Sequence, residues 1–177
     1  DLSGGLPLAQ VVYAYDALGR RVGKTVYPPV PLLPVTTAFV YDDTDIIEQY
    51  ENGALQFAAI WPHMHQTASH LRISAAGSVL YAQGDDVGNV LALTDAAGQA
   101  VERYDYDDFG FPRFFNSDGF LLATNASPAG NPFLLQGMQW EAETGFYFGH
   151  SQGSNVGIPS YYDSQLGRSV AGGMPNR

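Results

Sequence analysis

Gly84-Asp-Asp-Val-Gly-Asn-Val-Leu-Ala-Leu-Thr-Asp-Ala-Ala-Gly98 is a short apolar run held between two copies of one turn. Asp85-Asp-Val-Gly88 and Asp95-Ala-Ala-Gly98 both read Asp-x-x-Gly. An Asp at the first turn position caps the backbone with its carboxylate, and a Gly at the fourth supplies the positive φ of a bulged hairpin. The same turn recurs at Asp16-Ala-Leu-Gly19 and Asp107-Asp-Phe-Gly110, with a cousin one residue longer at Asp163-Ser-Gln-Leu-Gly167. The later copies are spaced by ten and twelve residues, which is one short strand plus one turn. Asn52-Gly53, Ala76-Gly77, Asp118-Gly119 and Thr144-Gly145 mark further turns of similar kind.

Between the turns lie strand-like runs: Val11 to Tyr15, Thr37 to Tyr41, Leu55 to Ile60, Ser78 to Ala82, Asn89 to Leu93 and Gln99 to Tyr106. In Tyr13-Ala-Tyr15 and Tyr104-Asp-Tyr106 the aromatics alternate, so both rings of a pair share one face. No stretch keeps an apolar stripe at helical spacing for three turns. Thr44 to Leu55 comes nearest, stops at Asn52-Gly53, and reads equally well as a short strand around Ile46 to Tyr50. The chain is expected to be all-β with little or no helix. Its repeated strand–turn unit points to a propeller, a solenoid or a wound antiparallel sheet.

With 177 residues, 45% of them hydrophobic, the chain can bury a core of ordinary domain size, and residues 1–177 read as a single domain. Eight basic against eighteen acidic side chains give a net charge of −10, which argues against nucleic-acid partners and against binding to an anionic membrane surface. The absence of Cys removes disulfides, thiolate zinc sites and Cys nucleophiles. No apolar run approaches the ~20 residues of a membrane span. The start at Asp1, without Met or signal pattern, reads as a processed chain or a piece of something longer.

Tyr13-Ala-Tyr-Asp-Ala-Leu-Gly-Arg-Arg21 resembles the tyrosine–aspartate (YD) repeat of RHS proteins, written Y-x-Y-D-x-x-G-R. Residues 84–98, quoted above, resemble the family's core segment. Tyr104-Asp-Tyr-Asp-Asp-Phe-Gly-Phe-Pro112, Asn131-Pro-Phe-Leu-Leu-Gln-Gly137, Glu143-Thr-Gly-Phe-Tyr147 and Tyr161-Tyr-Asp-Ser-Gln-Leu-Gly-Arg168 continue the likeness in order. The resemblance implies a β-sheet wound as a spiral. In large relatives this sheet closes into a cocoon around a toxic C-terminal segment, and related shells occur in insecticidal toxin complexes and teneurin-type adhesion proteins. It also implies a self-cleaving aspartyl-protease region, with Asp-Pro after the Tyr-Tyr-Asp…Leu-Gly-Arg motif. This chain departs there: after Arg168 comes Ser-Val-Ala-Gly-Gly-Met-Pro-Asn-Arg177, without Asp, and Asp163 alone cannot form a two-Asp arrangement. A second departure, Gly149-His-Ser-Gln-Gly-Ser-Asn-Val-Gly-Ile-Pro159, makes 149–177 a divergent C-terminal segment.

A closed cocoon needs many hundreds of residues, so a 177-residue piece leaves open sheet edges. Edges are normally guarded by lysine, yet Lys24 is the only Lys. Either further sequence covers these edges, or they pair with copies of the same chain and propagate head to tail, which predicts a filament or tube.

The chemistry candidates are weaker than the repeat. Gly149-His-Ser-Gln-Gly153 fits the G-x-S-x-G elbow of α/β-hydrolases with Ser151 as nucleophile. That motif needs a helix after it and a later His, whereas Gly153 to Pro159 cannot be helical and all four His lie at or before position 150. His63, His65 and His70 are weak metal candidates: His63 and His65 would share a face on a strand, but Pro62 favours an exposed loop. Asp42-Asp-Thr-Asp45, Asp85-Asp86 and Asp107-Asp108 lack EF-hand spacing and fall where turns are wanted, leaving only weak Ca²⁺ binding as an option. Glu141/Glu143 and Asp105/Asp107 have glycosidase-like i, i+2 spacing but read as solvated acids. Pro28 to Pro34 is a stiff extended connection, and Asn125-Ala-Ser127 is a glycosylation sequon.

The expectation is a non-enzymatic, extracellular or cell-surface structural protein, without cofactor, that assembles through its sheet edges with copies of itself. The alternative is a fragment of an RHS toxin-encapsulating shell, and a third reading is a serine hydrolase using Ser151. The expected structural residues are Tyr13, Tyr15, Tyr104 and Tyr106 between sheet layers. Asp16, Asp85, Asp95, Asp107 and Asp163, with Gly19, Gly88, Gly98, Gly110 and Gly167, would set the turns. Arg20 and Arg168 would pair with turn carboxylates of neighbouring repeats.

Overall fold

The computed structural model describes residues 10–29, 31–61, 71–74, 77–150 and 159–170. Ten strands form one antiparallel meander in chain order: β1 (Gln10–Tyr15), β2 (Arg21–Tyr27), β3 (Val35–Asp42), β4 (Asp45–Glu51), β5 (Ala54–Ile60), β6 (Leu71–Ser74), β7 (Val79–Gly84), β8 (Val90–Thr94), β9 (Ala100–Tyr106) and β10 (Pro112–Asn116). After a connection holding a single 3₁₀ turn at Leu135–Gly137, a second antiparallel sheet follows. It consists of β11 (Gln139–Glu141), β12 (Phe146–His150), β13 (Pro159–Asp163) and β14 (Arg168–Val170). The all-β expectation holds, and Thr44 to Leu55 is strand, turn and strand rather than helix.

The turns follow from residue type. In the hairpin joining β1 and β2, Asp16 N–H donates to Arg20 O, Gly19 N–H donates to Asp16 O, and Asp16 Oδ1 accepts from the N–H groups of Leu18 and Arg20. Asp85, Asp95 and Asp107 make the same pair of side-chain bonds in their own turns. The fourth residue has positive φ in each (77° at Gly19, 93° at Gly88, 77° at Gly98, 86° at Gly110), where a Cβ would be strained. Asn116-Ser-Asp-Gly119 is a further copy with Asn in place of Asp, its Oδ1 accepting from Asp118 and Phe120. Asn52-Gly53 differs: it is a two-residue loop between paired Glu51 and Ala54, with positive φ at both residues.

The long sheet is curved. Ten strands at ~4.8 Å spacing would span roughly 43 Å if flat, yet strands near both of its ends touch the second sheet. Along β11–β14 successive side chains alternate in direction. One face, carrying Gln139, Glu141, Phe146, Phe148 and Tyr161, meets Tyr13, Tyr15 and Arg21 of the first hairpin. The opposite face, carrying Trp140, Tyr147 and Tyr162, meets Phe109, Gly110 and Phe111 after β9. The second sheet is therefore clasped on both faces by the first. Phe133 closes the middle against Phe39, Ile46, Phe57 and Ala59 of β3–β5. Val90, Leu93, Tyr104 and Phe114 pack with Leu134, Trp140 and Tyr147 at the other side.

Candidate functional site at the seam between the sheets

The seam is organised around a buried cation. Arg21 and Glu141 are 0% and 1% exposed, and they form an ion pair between β2 and β11 across 120 residues of chain. Arg21 Nη2 donates to Gln139 Oε1, and Tyr13 Oη donates to Glu141 Oε2. The guanidinium lies 4.0 Å from the Phe148 ring centre, 5.1 Å from Phe39 and 5.2 Å from Tyr13. Burial alone would lower the proton affinity of Arg21, but the facing Glu141 carboxylate overrides it and holds the group above its ordinary value. Burial first, and Glu141 next, push the Tyr13 hydroxyl far above the usual tyrosine range. Burial pushes Tyr41 up to about 12, and its hydroxyl donates to Arg21 O at 2.9 Å. With both charges buried, this cluster ties the first hairpin to the second sheet.

A second buried carboxylate does similar work. Glu102 of β9 is 2% exposed, and its Oε2 accepts from Ser127 Oγ and Ala129 N–H, tying the loop before the second sheet into the concave face. The sequence reading missed Arg21, Glu141 and Glu102 as structural centres. Glu102 had a signal, since it alternates in phase with Tyr104 and Tyr106 and must point the same way. The partnership of Arg21 with Glu141 had none, because the two are remote in sequence.

The expected residues fall as follows. Tyr13 and Tyr15 reach the second sheet, Tyr15 through a 2.6 Å hydroxyl contact with Tyr161 while staying 40% exposed. Tyr104 packs edge-on against Phe114 within the core that includes Trp140 and Tyr147 of the second sheet, and Tyr106 packs against the same core while donating to Val90 O, so this pair also lies between the sheets. Arg20 corrects its expectation: it pairs with Asp16 of its own turn at 2.7 Å and donates to Asp43 O, because the Gly19 turn brings i and i+4 together. Arg168 stands opposite Asp163 in register. Asp163 is buried and caps Gln165 and Leu166, with Gly167 at φ 62°. Glu141 and Asp163 share a face with Phe146 between them, and two strand spacings put them roughly 10 Å apart, too far to share a proton as an aspartyl dyad does.

Glu141 and Glu143 are not a catalytic pair, since Glu143 binds Lys24 at 3.0 Å while Glu141 holds Arg21. Asp105 pairs with Arg113, and Asp107 caps its turn. His63, His65, His70 and Ser151 lie outside the described residues. Among the described residues no three His, Asp or Glu side chains are placed to share a metal ion. In the sequon, Asn125 Nδ2 donates to Ala142 O and Ser127 is held by Glu102.

The two-sheet clasp is found in solved structures. A crystal structure of TcdB2-TccC3 superposes on 94% of this chain with a TM-score of 0.62 at 15% identity, the match covering 8% of that chain. The chain shares its fold with a section of TcdB2-TccC3. The Photorhabdus luminescens Tc holotoxin pore carrying TccC3-D651A gives the same coverage and TM-score. In sequence, the chain is 27% identical over 138 residues to the tRNA3(Ser)-specific nuclease WapA of Bacillus spizizenii and to the tRNA nuclease WapA of Bacillus subtilis. Each alignment covers 77% of this chain and spans only 5% of the relative. No family model matches. Together these likenesses support a relation to RHS proteins. They also correct the expectation of a non-enzymatic protein: both relatives are named nucleases, so a chain similar to this one occurs within enzymes.

Proposed function

We propose that this chain is a core section of an RHS-type toxin-encapsulating shell, in which the curved ten-stranded sheet is wall and the clasped four-stranded sheet is packed inside it. The observation that carries this is the second sheet buried on both faces, in a fold shared over 94% of the chain with TcdB2-TccC3. The relatives, of which this chain spans a small part, favour this reading over a filament of 177-residue units. In this reading the toxic activity, a nuclease in the case of WapA, belongs to cargo held by the shell. The partner of the chain is the rest of that shell, and the setting is delivery outside the producing cell. Turn aspartates and glycines serve the wall by fixing hairpin geometry at regular intervals.

The test is electron microscopy of the full-length protein that contains this sequence, with limited proteolysis beside it. Closed hollow particles with a protease-resistant interior are expected. Filaments built from isolated copies of the chain, without a closed lumen, would refute the shell and restore the filament.

A further inference from the structure

We propose that the cleft between the β9–β10 turn and the second sheet is a docking site for an extended basic polypeptide segment, which places an Arg or Lys side chain in the cleft and runs its backbone along the free edge of β14. The proposal stands independently of the shell reading. The cleft has a volume of about 580 Å³. Its floor is the Trp140/Tyr147/Tyr162 face of the second sheet, at the end where Gly149, Ser160 and Ser169 replace rings with small groups. Asp107 and Asp108 stand on the facing wall, with Phe109, Leu135 and Met138 beside them. Two hydroxyls and two carboxylates suit the several N–H donors of a guanidinium, and the apolar wall suits its methylene stem.

Charge decides the class of partner. Among the described residues no Lys, Arg or His lines the cleft. Asp107 Oδ1 is occupied by the N–H groups of Phe109 and Phe111, but Asp108 is exposed and takes no part in capping the turn. The nearby Arg113 is paired with Asp105, and Arg168 belongs to the opposite face of its strand. A chain of net charge −10 has little cation of its own to offer, so the complement is a basic segment. The edge decides the conformation. β14 pairs with β13 on one side only, and among the described residues no strand covers its other edge. Ser169 of that strand lines the cleft, so a segment hydrogen-bonded to the edge would deliver alternate side chains toward Asp108.

The probe is a fluorescein-labelled Thr-Val-Arg-Val-Thr peptide, with Thr-Val-Glu-Val-Thr as control, titrated into the 177-residue chain and followed by anisotropy and by amide chemical shifts. Saturable binding of the Arg peptide is expected, at least about tenfold tighter than the Glu peptide, with shifts at Ser160 and Ser169. Asp108→Lys should weaken binding about tenfold, and Ser169→Phe, which fills the cleft at an exposed edge, should abolish it, each with an unchanged circular dichroism spectrum. Equal affinities for the two peptides, no saturation, shifts confined to β1, or full affinity in a folded Asp108→Lys variant would each overturn the proposal. So would self-association of the unliganded chain that Ser169→Phe abolishes, because it would assign the edge to a second copy.

Discussion

Replacing Glu141 by Gln keeps the shape of the seam and removes one charge. Arg21 would then be a fully buried guanidinium with no second carboxylate to pair with among the described residues. It cannot escape by losing its proton, so the cost is that of an uncompensated buried charge, about 3–5 kcal/mol. Domains of ordinary size are stable by roughly 5–15 kcal/mol, so this is a large share, and for a chain of this length it corresponds to a melting temperature lower by about 6–20 °C. The reverse change, Arg21→Met, should cost less. It leaves Glu141 buried, but Lys24 Nζ already lies 3.9 Å away and can move closer, while the Met fills the ring-lined slot beside Phe148. The double variant Arg21→Met/Glu141→Gln should recover roughly 1–4 kcal/mol relative to Glu141→Gln, because both charges go together. Urea denaturation of the four proteins gives the cycle directly. A Glu141→Gln variant within ~0.5 kcal/mol of the parent, or effects that add with no coupling, would mean the pair does not hold the sheets together.

Further outcomes are expected at the turns and the tyrosines. Gly98→Ala, at φ 77° with open space around the new Cβ, should cost only the backbone penalty of about 1–2 kcal/mol; Gly110→Val, at φ 86° and 2.6 Å from Leu135, should cost more and promote aggregation, and equal melting temperatures would contradict the turn assignment. Asp85 is pulled by burial toward the neutral form, but bonds from Asn89 and Val87 win and hold its carboxyl below the usual value. Its contribution to stability is present above the unfolded value of about 4 and is lost as pH falls through the lower folded value. Asp85→Asn should therefore flatten the acid limb of a stability–pH curve, and an unchanged limb would sink the idea. Tyr13, Tyr41, Tyr106, Tyr147 and Tyr161 are all pushed up, chiefly by burial, Tyr41 to about 12. The stability they lend is complete below pH ~10 and fades as pH rises. In a 295 nm titration these five should ionise with alkaline unfolding, whereas eleven tyrosines titrating together near pH 10 with the fold intact would contradict their burial.

The long sheet was legible because its information is local. An Asp-x-x-Gly turn is decided by four residues, so strands β1, β3, β5, β7, β8 and β9 stand close to where alternation and turn spacing put them. Strands β2, β6 and β10 were not singled out: Arg21-Val-Gly-Lys-Thr-Val-Tyr27 has weak alternation, and β6 and β10 are only four and five residues long. The segments that form the second sheet were matched to the family only by resemblance, and a separate sheet was not expected there. Phe146-Tyr-Phe148 and Tyr161-Tyr162 show no polar alternation, because a sheet covered on both faces has no wet side to mark. The turn at Arg20 misled in one respect, since a Gly-Arg motif does not say whether the cation serves its own turn or the next.

What residue order determined was the repeated hairpin: capping carboxylates, positive-φ glycines and alternating tyrosines are decided within a few bonds, where sterics and short hydrogen bonds dominate. Only tertiary structure decided that the long sheet bends back on itself, that Arg21 finds Glu141, and that a cleft opens beside Asp108. Those outcomes depend on burying charges and rings against groups remote along the chain, and burial is a property of the closed fold, not of any stretch of sequence.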